Sequence, residues 1–474
     1  MSSSSDPEII ILGAGPAGIA AAYALAKKGA AKVRVLERAA VAGGNSASFE
    51  HEGIWCDYGS HRFHPVADPH VLADVKALLG DDLLLRPRHG RIRLGGRWIH
   101  FPLKPLDAIR RLPPAFAASL IGDSLLKPLR AKPSGPETFA SVLYGGLGPT
   151  ISEQFYFPYV EKLWGRKPED LAVTLAHRRV GSGSVGKILK KMIRTLPGMG
   201  DETAGKFYYP RRGFGQISER MKAAAESHGA TFELGTEITA IERVGDRVTA
   251  LRSRKGDQET RREVAQIFST IPLTSLTSLL DPPEAVQRAV DAIRFRGMIL
   301  VYLVLETDQF TEYDAHYFPE AHIPISRMSE PKNYSAARTP KGVTILCAEL
   351  PCDPHERWWS MSDEELGQNY VTWLNDMGLP VTARVRRTFT RRLSHAYPVY
   401  DIDYESHFDT VDRWLLGLDG LLVFGRQGLF AHDNTHHAFA MAYGAADSLG
   451  SDGTVDRRKW DAYRAEFAEH TVED

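Results

Sequence analysis

The feature that most constrains this chain is the sequence EIIILGAGPAG at residues 8–18, an apolar run that ends in three spaced glycines. The run has the length and β-branched composition of a strand buried on both faces. An alanine-rich helical pattern follows from Pro16 to Gly29, and residues 32–36 are expected to form a second strand. The pattern predicts a strand–helix–strand unit whose glycine turn and helix N-terminus bind a pyrophosphate.

Glu37 ends the second predicted strand, where a carboxylate can accept hydrogen bonds from both ribose hydroxyls and would repel a 2′-phosphate. A GxGxxG pattern alone also occurs in flexible turns, but here the strand, the helix, the second strand and the acidic residue are all in place. The unit therefore predicts a dinucleotide site. Its expected contacts come from Gly13, Gly15, Pro16, Ala17, Gly18 and Glu37.

The kind of dinucleotide is indicated by the residues that follow. Arg38 and the sequence Gly43-Gly44-Asn45, taken with Glu37, resemble the ERxxxxGG extension of flavoproteins in the glutathione-reductase-like superfamily. The resemblance implies that the cofactor is FAD and that Arg38, Gly43, Gly44 and Asn45 contribute to its site. Taken alone, the glycine pair could also be an ordinary turn.

The length and charge of the chain limit the other classes of function. With 474 residues it is too long for one ordinary domain, and a net charge of −1 with mixed signs does not suit nucleic acid or an anionic membrane. Three cysteines without CxxC spacing favour a reducing, cytoplasmic setting. No apolar run reaches the roughly 18 residues of a spanning helix. We therefore expect a small-molecule substrate and no stable membrane insertion, and a homo-oligomer is left open.

A second motif is DYGSHRFH at residues 57–64, with two histidines three residues apart. As metal ligands, His61 and His64 would need a third partner, and none is suggested nearby, so we expect no metal site. Together with Gly43-Gly44-Asn45, the motif resembles the GGN and YGPHxFH elements of the UDP-galactopyranose mutase family. It is also similar to protoporphyrinogen-oxidase-like and amine-oxidase-like relatives of that family. The resemblance places Tyr58, Gly59, Ser60 and His61 against the flavin ring, with His61 next to N5.

Three further segments extend the resemblance over most of the chain. YVEKLWG at residues 159–165, followed by Arg178, resembles the mutase segment in which a tryptophan flanks the nucleotide and an arginine reaches the sugar diphosphate. YPRRGFG at residues 209–215 resembles the PxxGY element. FGR at 424–426 and NTH at 434–436 resemble the carboxy-terminal segment, whose helix, over about 437–449, directs its N-terminus at the flavin. The resemblance implies cofactor contacts from Ile238, Gly425, Arg426, Asn434, Thr435 and His436.

The sequence also departs from the mutase pattern. Ser60 stands where the mutases have proline, and His436 takes the last acidic position of the carboxy-terminal motif. The sequence HAYPVYD at residues 395–401 is more similar to the amine-oxidase-like relatives. These departures favour an oxidoreductase over the mutase reaction.

Several residues have competing interpretations. His61 is expected to orient the substrate, to hydrogen-bond the flavin, or to hold its own loop. Arg178 is favoured for an anionic substrate group because a guanidinium matches phosphate oxygens in a fork, with Arg179 as the competitor and a solvated charge as the alternative. Trp164 is either a stacking platform or a core residue. Tyr397 and Tyr400 are expected near the flavin edge, Tyr397 as a catalytic residue and Tyr400 as a substrate contact.

Together these patterns predict an α/β chain with a discontinuous, Rossmann-like FAD-binding domain formed by residues 1–100, 205–290 and 393–474. Residues 101–204 are expected to form a helical substrate-binding part and residues 291–392 a β-sheet part. The predicted function is an FAD-dependent oxidoreductase that acts at a C–H next to oxygen or nitrogen on a sugar-containing or phosphate-linked metabolite. The alternative is a mutase-like, flavin-dependent isomerase of a nucleotide sugar.

Overall fold

The centre of the molecule is a five-stranded parallel sheet. A computed structural model describes residues 8–29, 31–126, 135–180 and 203–473. The strands of this sheet lie in the order Leu421–Val423, Gln266–Ser269, Glu8–Leu12, Lys32–Glu37 and Thr231–Leu234. Three distant parts of the chain thus meet in one sheet, and the predicted α/β, Rossmann-like fold is confirmed.

Both faces of the parallel sheet are buried, as its continuous apolar strands require. Successive side chains of a strand point to opposite faces, so Ile9 and Ile11 join one hydrophobic core while Ile10 and Leu12 join another. The first core includes the helices Pro16–Lys28 and Thr435–Asp447. This arrangement brings the N-termini of two helices to the same edge of the sheet.

A seven-stranded sheet lies beside the parallel one. Its strands are ordered Val385–Pro398, Phe295–Leu305, Thr344–Pro351, Arg327–Ser329, Ala315–Tyr317, Gly90–Leu94 and Arg97–Phe101. Neighbouring strands are antiparallel except for the pair formed by Ala315–Tyr317 and Gly90–Leu94. Two of these strands, at 90–94 and 97–101, lie in the stretch that the predicted division assigns to the FAD-binding domain. The seven-stranded sheet therefore includes strands from the predicted FAD-binding domain as well as from the predicted β-sheet part.

The faces of the seven-stranded sheet have different neighbours. Ile299, Val301 and Leu303 pack under the helix Asp363–Asp376. Met298, Leu300 and Tyr302 pack on the opposite face, against the hairpin Ser48–His51 and Ile54–Asp57. The second face thus covers the segment that leads into the DYGSHRFH loop.

The remaining strands and helices complete the chain. A three-stranded sheet is formed by Glu237–Val244, Arg247–Lys255 and Gln258–Glu263, and Leu83–Pro87 pairs with Lys206–Pro210. The other α-helices are Pro69–Leu79, Pro105–Arg111, Pro114–Leu126, Phe139–Gly146, Pro149–Ile151, Phe157–Trp164, Val173–Val180, Gln216–Ser227, Leu273–Ser278, Glu284–Ala292, Pro331–Ser335, Tyr404–Leu416, Gly425–Gly428 and Arg457–Ala468. Short 3-10 turns span Gly44–Ser46, Gly80–Asp82, Pro168–Asp170 and Arg357–Ser360, and a π-turn spans Ser152–Tyr156.

The stretch predicted to be helical, residues 101–204, contains several helices between Pro105 and Val180, and its residues 127–134 and 181–202 lie outside the described residues. Within the described ranges, none of the helices combines the length and the apolar character needed to cross a bilayer.

Candidate active site

The glycine turn after the first strand has the geometry that a dinucleotide site needs. Gly13 has φ of +95°, and the helix Pro16–Lys28 starts directly behind it with proline in its first turn. A Cβ on Gly18 would lie 1.9 Å from the carbonyl oxygen of Gly13, so only glycine lets the helix approach the strand this closely. The turn therefore has the tight backbone that the sequence predicted.

Gly15 differs from Gly18 in what a side chain would meet. A Cβ there would have only the Cα of Gly44, 4.0 Å away, within van der Waals range. Gly15 and Gly44 both line a cavity of about 2050 Å³, together with Gly13, Pro16 and Ala17. This backbone-walled cradle at a helix N-terminus fits the pyrophosphate of FAD.

Gly43 and Gly425 lie behind this wall. A Cβ on Gly43 would be 2.9 Å from the Cβ of Ala47, and one on Gly425 would be 2.9 Å from that of Ala17. Like Gly18, neither lines the cavity. All three shape the turn from behind.

Glu37 lies at the end of its strand and lines the cavity, as do Arg38, Asn45 and Ile238. Its carboxylate accepts the backbone N–H of Ala14 and of Ala39, each at 2.8 Å. The carboxylate therefore also holds the glycine turn in place. A carboxylate has further lone pairs that suit ribose hydroxyls.

The DYGSHRFH loop is anchored by its first residue. The buried carboxylate of Asp57 accepts the hydroxyls of Ser48 at 2.6 Å and Tyr209 at 2.7 Å, and the backbone N–H of Phe214 at 2.8 Å. Burial raises the pKa of Asp57, although these three donors oppose the rise. Residues 209–215, which resemble the PxxGY element, thus support the loop from below.

His61 also holds the loop. Its Nε2 lies 3.0 Å from the carbonyl oxygen of Asn45 and 2.9 Å from that of Tyr58. Because carbonyls only accept hydrogen bonds, this nitrogen carries the proton. Burial lowers the pKa of His61, so the imidazole is neutral near pH 7. His61 lines the cavity beside Tyr58, Gly59 and Ser60.

A buried ion pair faces the loop from the seven-stranded sheet. Arg327 Nε and Nη2 each donate to a different oxygen of Glu349 at 2.9 Å, and Glu349 also accepts the backbone N–H of Ser60 at 2.8 Å. Burial alone would lower the pKa of Arg327, but Glu349 and nearby phenols raise it well above its usual value. Both residues line the cavity, so a fixed positive charge stands close to the loop.

Three phenols surround this guanidinium. Tyr159, Tyr317 and Tyr397 all line the cavity, and each interacts electrostatically with Arg327. Burial raises the pKa of Tyr159 and Tyr397, so both remain protonated and can donate a hydrogen bond at neutral pH. Tyr397 thus lines the cavity among groups that can orient a polar substrate.

The structure separates the two adjacent arginines. Arg178 lies outside the cavity lining and its Nη1 donates to the buried Asp433 at 2.9 Å. Arg179 lines the cavity, with its guanidinium over the Trp164 ring at 5.3 Å and one nitrogen 3.2 Å from Nε2 of His432. Of the two arginines, the structure therefore places Arg179 at the cavity, whereas Arg178, which the sequence favoured for an anionic substrate group, is engaged by Asp433.

Trp164 and Tyr400 are also placed behind the wall. Trp164 is fully buried and donates Nε1–H to the carbonyl of Pro398 at 2.9 Å. The Tyr400 hydroxyl donates to the carbonyl of Phe430 at 2.9 Å and accepts the N–H of His432 at 2.8 Å. The structure thus favours the core interpretation of Trp164, and it does not place Tyr400 against a substrate.

The carboxy-terminal motif closes the other side of the cavity. The helix Thr435–Asp447 starts two residues earlier than predicted, and Asn434 and Thr435 line the cavity at its N-terminus. Arg426 lines it as well and donates to the carbonyls of Asp433 at 2.8 Å and Ala396 at 2.9 Å. His436 is buried behind the lining, and burial lowers its pKa to about 4.

One cluster near this helix has metal-ligand chemistry. Ligand atoms of Asp433, His437 and His470 lie within 4.8 Å of one another. Asp433 already pairs with Arg178, and His470 Nδ1 lies 3.2 Å from its second oxygen. A metal ion would compete with a guanidinium for the same carboxylate, so this cluster is better described as an ion-pair network.

Sequence reasoning missed Tyr317, Arg327 and Glu349, which lie in short or apolar strands outside the quoted motifs. One signal was present: Glu349 is a lone carboxylate in the otherwise apolar strand Thr344–Pro351, whose residues are all buried. Charged residues are rarely buried unless they are paired. That position could have been singled out on this ground.

Comparisons with known proteins agree with this geometry. The family model for flavin containing amine oxidoreductase matches residues 16–405. Among solved structures, reduced UDP-galactopyranose mutase superposes with a TM-score of 0.79 at 20% identity, over 98% of both chains. A protein from Exiguobacterium sp. 255-15 with the provisional name protoporphyrinogen oxidase gives 0.72 at 19%, over 95% of this chain and 99% of the other. Cyclohexylamine oxidase from Brevibacterium oxydans IH-35A gives 0.64 at 16%, over 93% and 98%. Comparison with the curated proteins finds no match.

The fold and the dinucleotide cradle define a flavoprotein. The family match covers most of the chain, and the chain belongs to the flavin-containing amine oxidoreductases. Its cofactor is FAD, as the sequence predicted.

Proposed function

We propose that this protein is an FAD-dependent oxidoreductase that acts at a C–H next to oxygen or nitrogen, on a substrate with a sugar or phosphate group. The observation that carries the proposal is the continuity of the cavity. One wall is the dinucleotide cradle around Gly15, and the other bears Arg179, Arg327 and three phenols. The loop at residues 57–64 lies between them and is bonded to Glu349 through Ser60.

When bound, FAD would supply an acceptor for a hydride from the substrate carbon; the neighbouring O–H or N–H would lose its proton to solvent, which would leave a C=O or C=N bond. The residues of this chain then have separate tasks. Gly15, the two helix N-termini and Arg426 hold the dinucleotide. His61 keeps the loop in position as a neutral donor to two carbonyls. Arg179 and Arg327 attract an anionic group, and Tyr159 and Tyr397 donate hydrogen bonds to substrate oxygens.

The function is tested by anaerobic spectroscopy of the FAD-loaded protein with a panel of amines, alcohols, sugars and sugar phosphates. If the reaction is an oxidation, one class of compound should bleach the flavin absorption band when added at about one equivalent per flavin. A product with a C=O or C=N bond should then appear in an amount equal to that of the reduced flavin. Arg179→Met should weaken the response to anionic compounds more than to neutral ones. If no class bleaches the flavin, oxidation is the wrong reaction.

A second candidate is a flavin-dependent isomerase of a nucleotide sugar. Two guanidinium groups on one cavity wall favour it, since Arg179 and Arg327 together match a diphosphate. The resemblance of residues 57–64 and 159–165 to the mutases also supports it. This reaction should need reduced flavin yet consume no reductant, so activity that appears only after dithionite treatment would separate it from oxidation.

A further inference from the structure

One region of the cavity, called the apolar chamber below, is not explained by the oxidoreductase chemistry. It continues from the phenol-lined region between the hairpin 90–101, the helix Pro114–Leu126 and the segment at 151–163. Small-molecule pockets usually occupy about 300–1,000 Å³. A volume of about 2050 Å³ therefore leaves room for a large second ligand beside a dinucleotide.

The wall of this chamber is apolar. Of the described cavity-lining residues between 92 and 163, none is charged. Ile99, Phe116, Leu112 and Leu120 form one hydrophobic cluster there with Phe155. Such a wall gains nothing from contact with a nucleotide or a free sugar, because it offers almost no partner for their hydroxyl and phosphate groups.

The chamber is joined to the reactive end by a row of aromatic rings. Phe155 and Tyr159 lie one helical turn apart with nearly parallel rings, 6.4 Å between centroids. Phe101 packs edge-on against Tyr317 at 5.2 Å. Tyr159 and Tyr317 in turn face Arg327. The cavity wall thus becomes less polar from Arg327 towards the helix Pro114–Leu126, with a guanidinium first, phenols next and hydrocarbon side chains last.

The outer end of the chamber reaches solvent. Phe116 is buried, whereas Ile121 is 63% exposed and Leu125 is 74% exposed, and all three line the cavity. From Phe116 to Leu125 the helix rises about 14 Å, which matches a hydrocarbon chain of roughly ten carbons. Exposed apolar side chains at an opening are suited to admit an apolar chain.

We propose that this chamber holds the hydrocarbon tail of an amphiphilic substrate whose phosphate or other polar group lies against Arg179 and Arg327. The proposal rests on the proposed function for the identity of the reacting end. A tail in the chamber would bring the carbon next to the polar group under the phenols. The proposal also gives a role to the helix Pro114–Leu126. The family resemblance assigns no role to the face of this helix that lines the cavity.

The test uses butyl, octyl and dodecyl phosphate as probes, below their aggregation concentrations, with calorimetry on the FAD-loaded protein. Each buried methylene should tighten binding about three- to fourfold, until the chain reaches the opening. Ala117→Trp should fill the chamber and weaken dodecyl phosphate at least tenfold while butyl phosphate binds as before. Ala118→Trp is the matched control, since Ala118 is exposed on the same helix and does not line the cavity.

Leu120→Gln covers the case in which Ala117→Trp does not fold, because it places a polar group in the same wall with little change of volume. It should selectively weaken dodecyl phosphate. Equal affinity for butyl and dodecyl phosphate, or unchanged dodecyl binding in both lining variants, would overturn the proposal. Because calorimetry measures the heat of binding, the result does not depend on turnover. A flavin that no compound bleaches would refute the proposed oxidation. Binding that does not change with chain length would refute the proposed role of the chamber.

Discussion

At the scale of single residues, the site depends on charges that are buried and paired. Glu349 is 4% exposed and joins Arg327 to the backbone of Ser60. Removing one member of such a pair leaves the other charge without compensation in the interior. The pair therefore links the stability of the sheet to the position of the loop at residues 57–64.

The first prediction concerns this pair. Glu349→Gln should lower the free energy of unfolding by about 3 kcal/mol, since Arg327 would keep its charge in a buried setting. Urea denaturation of the FAD-loaded protein measures the change. Glu306→Gln is the control, because Glu306 pairs with Arg384 and Arg386 at the surface and should cost under about 1 kcal/mol. Equal losses in the two variants would contradict the account.

The adjacent arginines give the second prediction. Arg178→Met should destabilise the protein by about 3 kcal/mol, because it strands the fully buried side chain of Asp433. Arg179→Met should cost less, about 1 kcal/mol, since its contacts with the Trp164 ring and with the neutral His432 leave no buried charge behind when they are lost. Thermal unfolding compares the two. If Arg179→Met destabilised the protein more than Arg178→Met, the structural role would belong to Arg179, which would contradict this assignment.

At the scale of elements, the sequence predicted well those features that are formed by residues close together in the chain. The unit at residues 8–37 and the loop at 57–64 could be recognised because each feature needs particular residues at fixed spacing. The assignment of Arg178 could not be secured in this way. Neighbouring residues on a helix point about 100° apart, and only the packing of Val173–Val180 decides that Arg179 faces the cavity. Arg327 and Glu349 come together through strand pairing, which no local pattern encodes.

The third prediction belongs to the glycine turn. Gly15→Val should fold but lose FAD, because its side chain would enter the cradle and meet almost no protein atom. The purified variant should be colourless, with a far-ultraviolet circular dichroism spectrum like that of the parent apoprotein. Gly29→Ala is the control: it lies at the other end of the same helix, with no atom within 4 Å of the added Cβ. It should stay yellow, with a cost of about 1 kcal/mol for its left-handed backbone. A yellow Gly15→Val protein would show that the cofactor lies elsewhere.

At the scale of the whole molecule, the cavity is assembled from the parallel sheet, the seven-stranded sheet and the helices between them. Two neutral histidines lie at the start of the helix Thr435–Asp447, which closes one side of the cavity. Burial lowers the pKa of His436 to about 4 and, with His436 beside it, that of His437 to about 3. The charged or titratable groups near them include Asp433, His470, His64 and Arg178.

The fourth prediction follows from these pKa values. Unfolded histidines bind protons below about pH 6.5, whereas the two folded ones stay neutral until about pH 4 and 3, so the unfolded state binds more protons in that window. Stability should therefore fall as the pH drops from 6.5 to 5. In His436→Gln the slope of unfolding free energy against pH should decrease by up to about 1.4 kcal/mol per pH unit. An equal slope in the parent protein and in the variant would contradict the assignment.

The central claim is that FAD lies along the glycine turn and that its ring reaches the wall formed by His61, Tyr397 and the Arg327–Glu349 pair. A crystal structure of the purified, FAD-loaded protein tests this most directly. The account predicts density for the pyrophosphate over Gly15 and for the isoalloxazine ring between the loop at 57–64 and Tyr397, with the apolar chamber open beyond it. Density that places the ring in the apolar chamber or outside the cavity would contradict it.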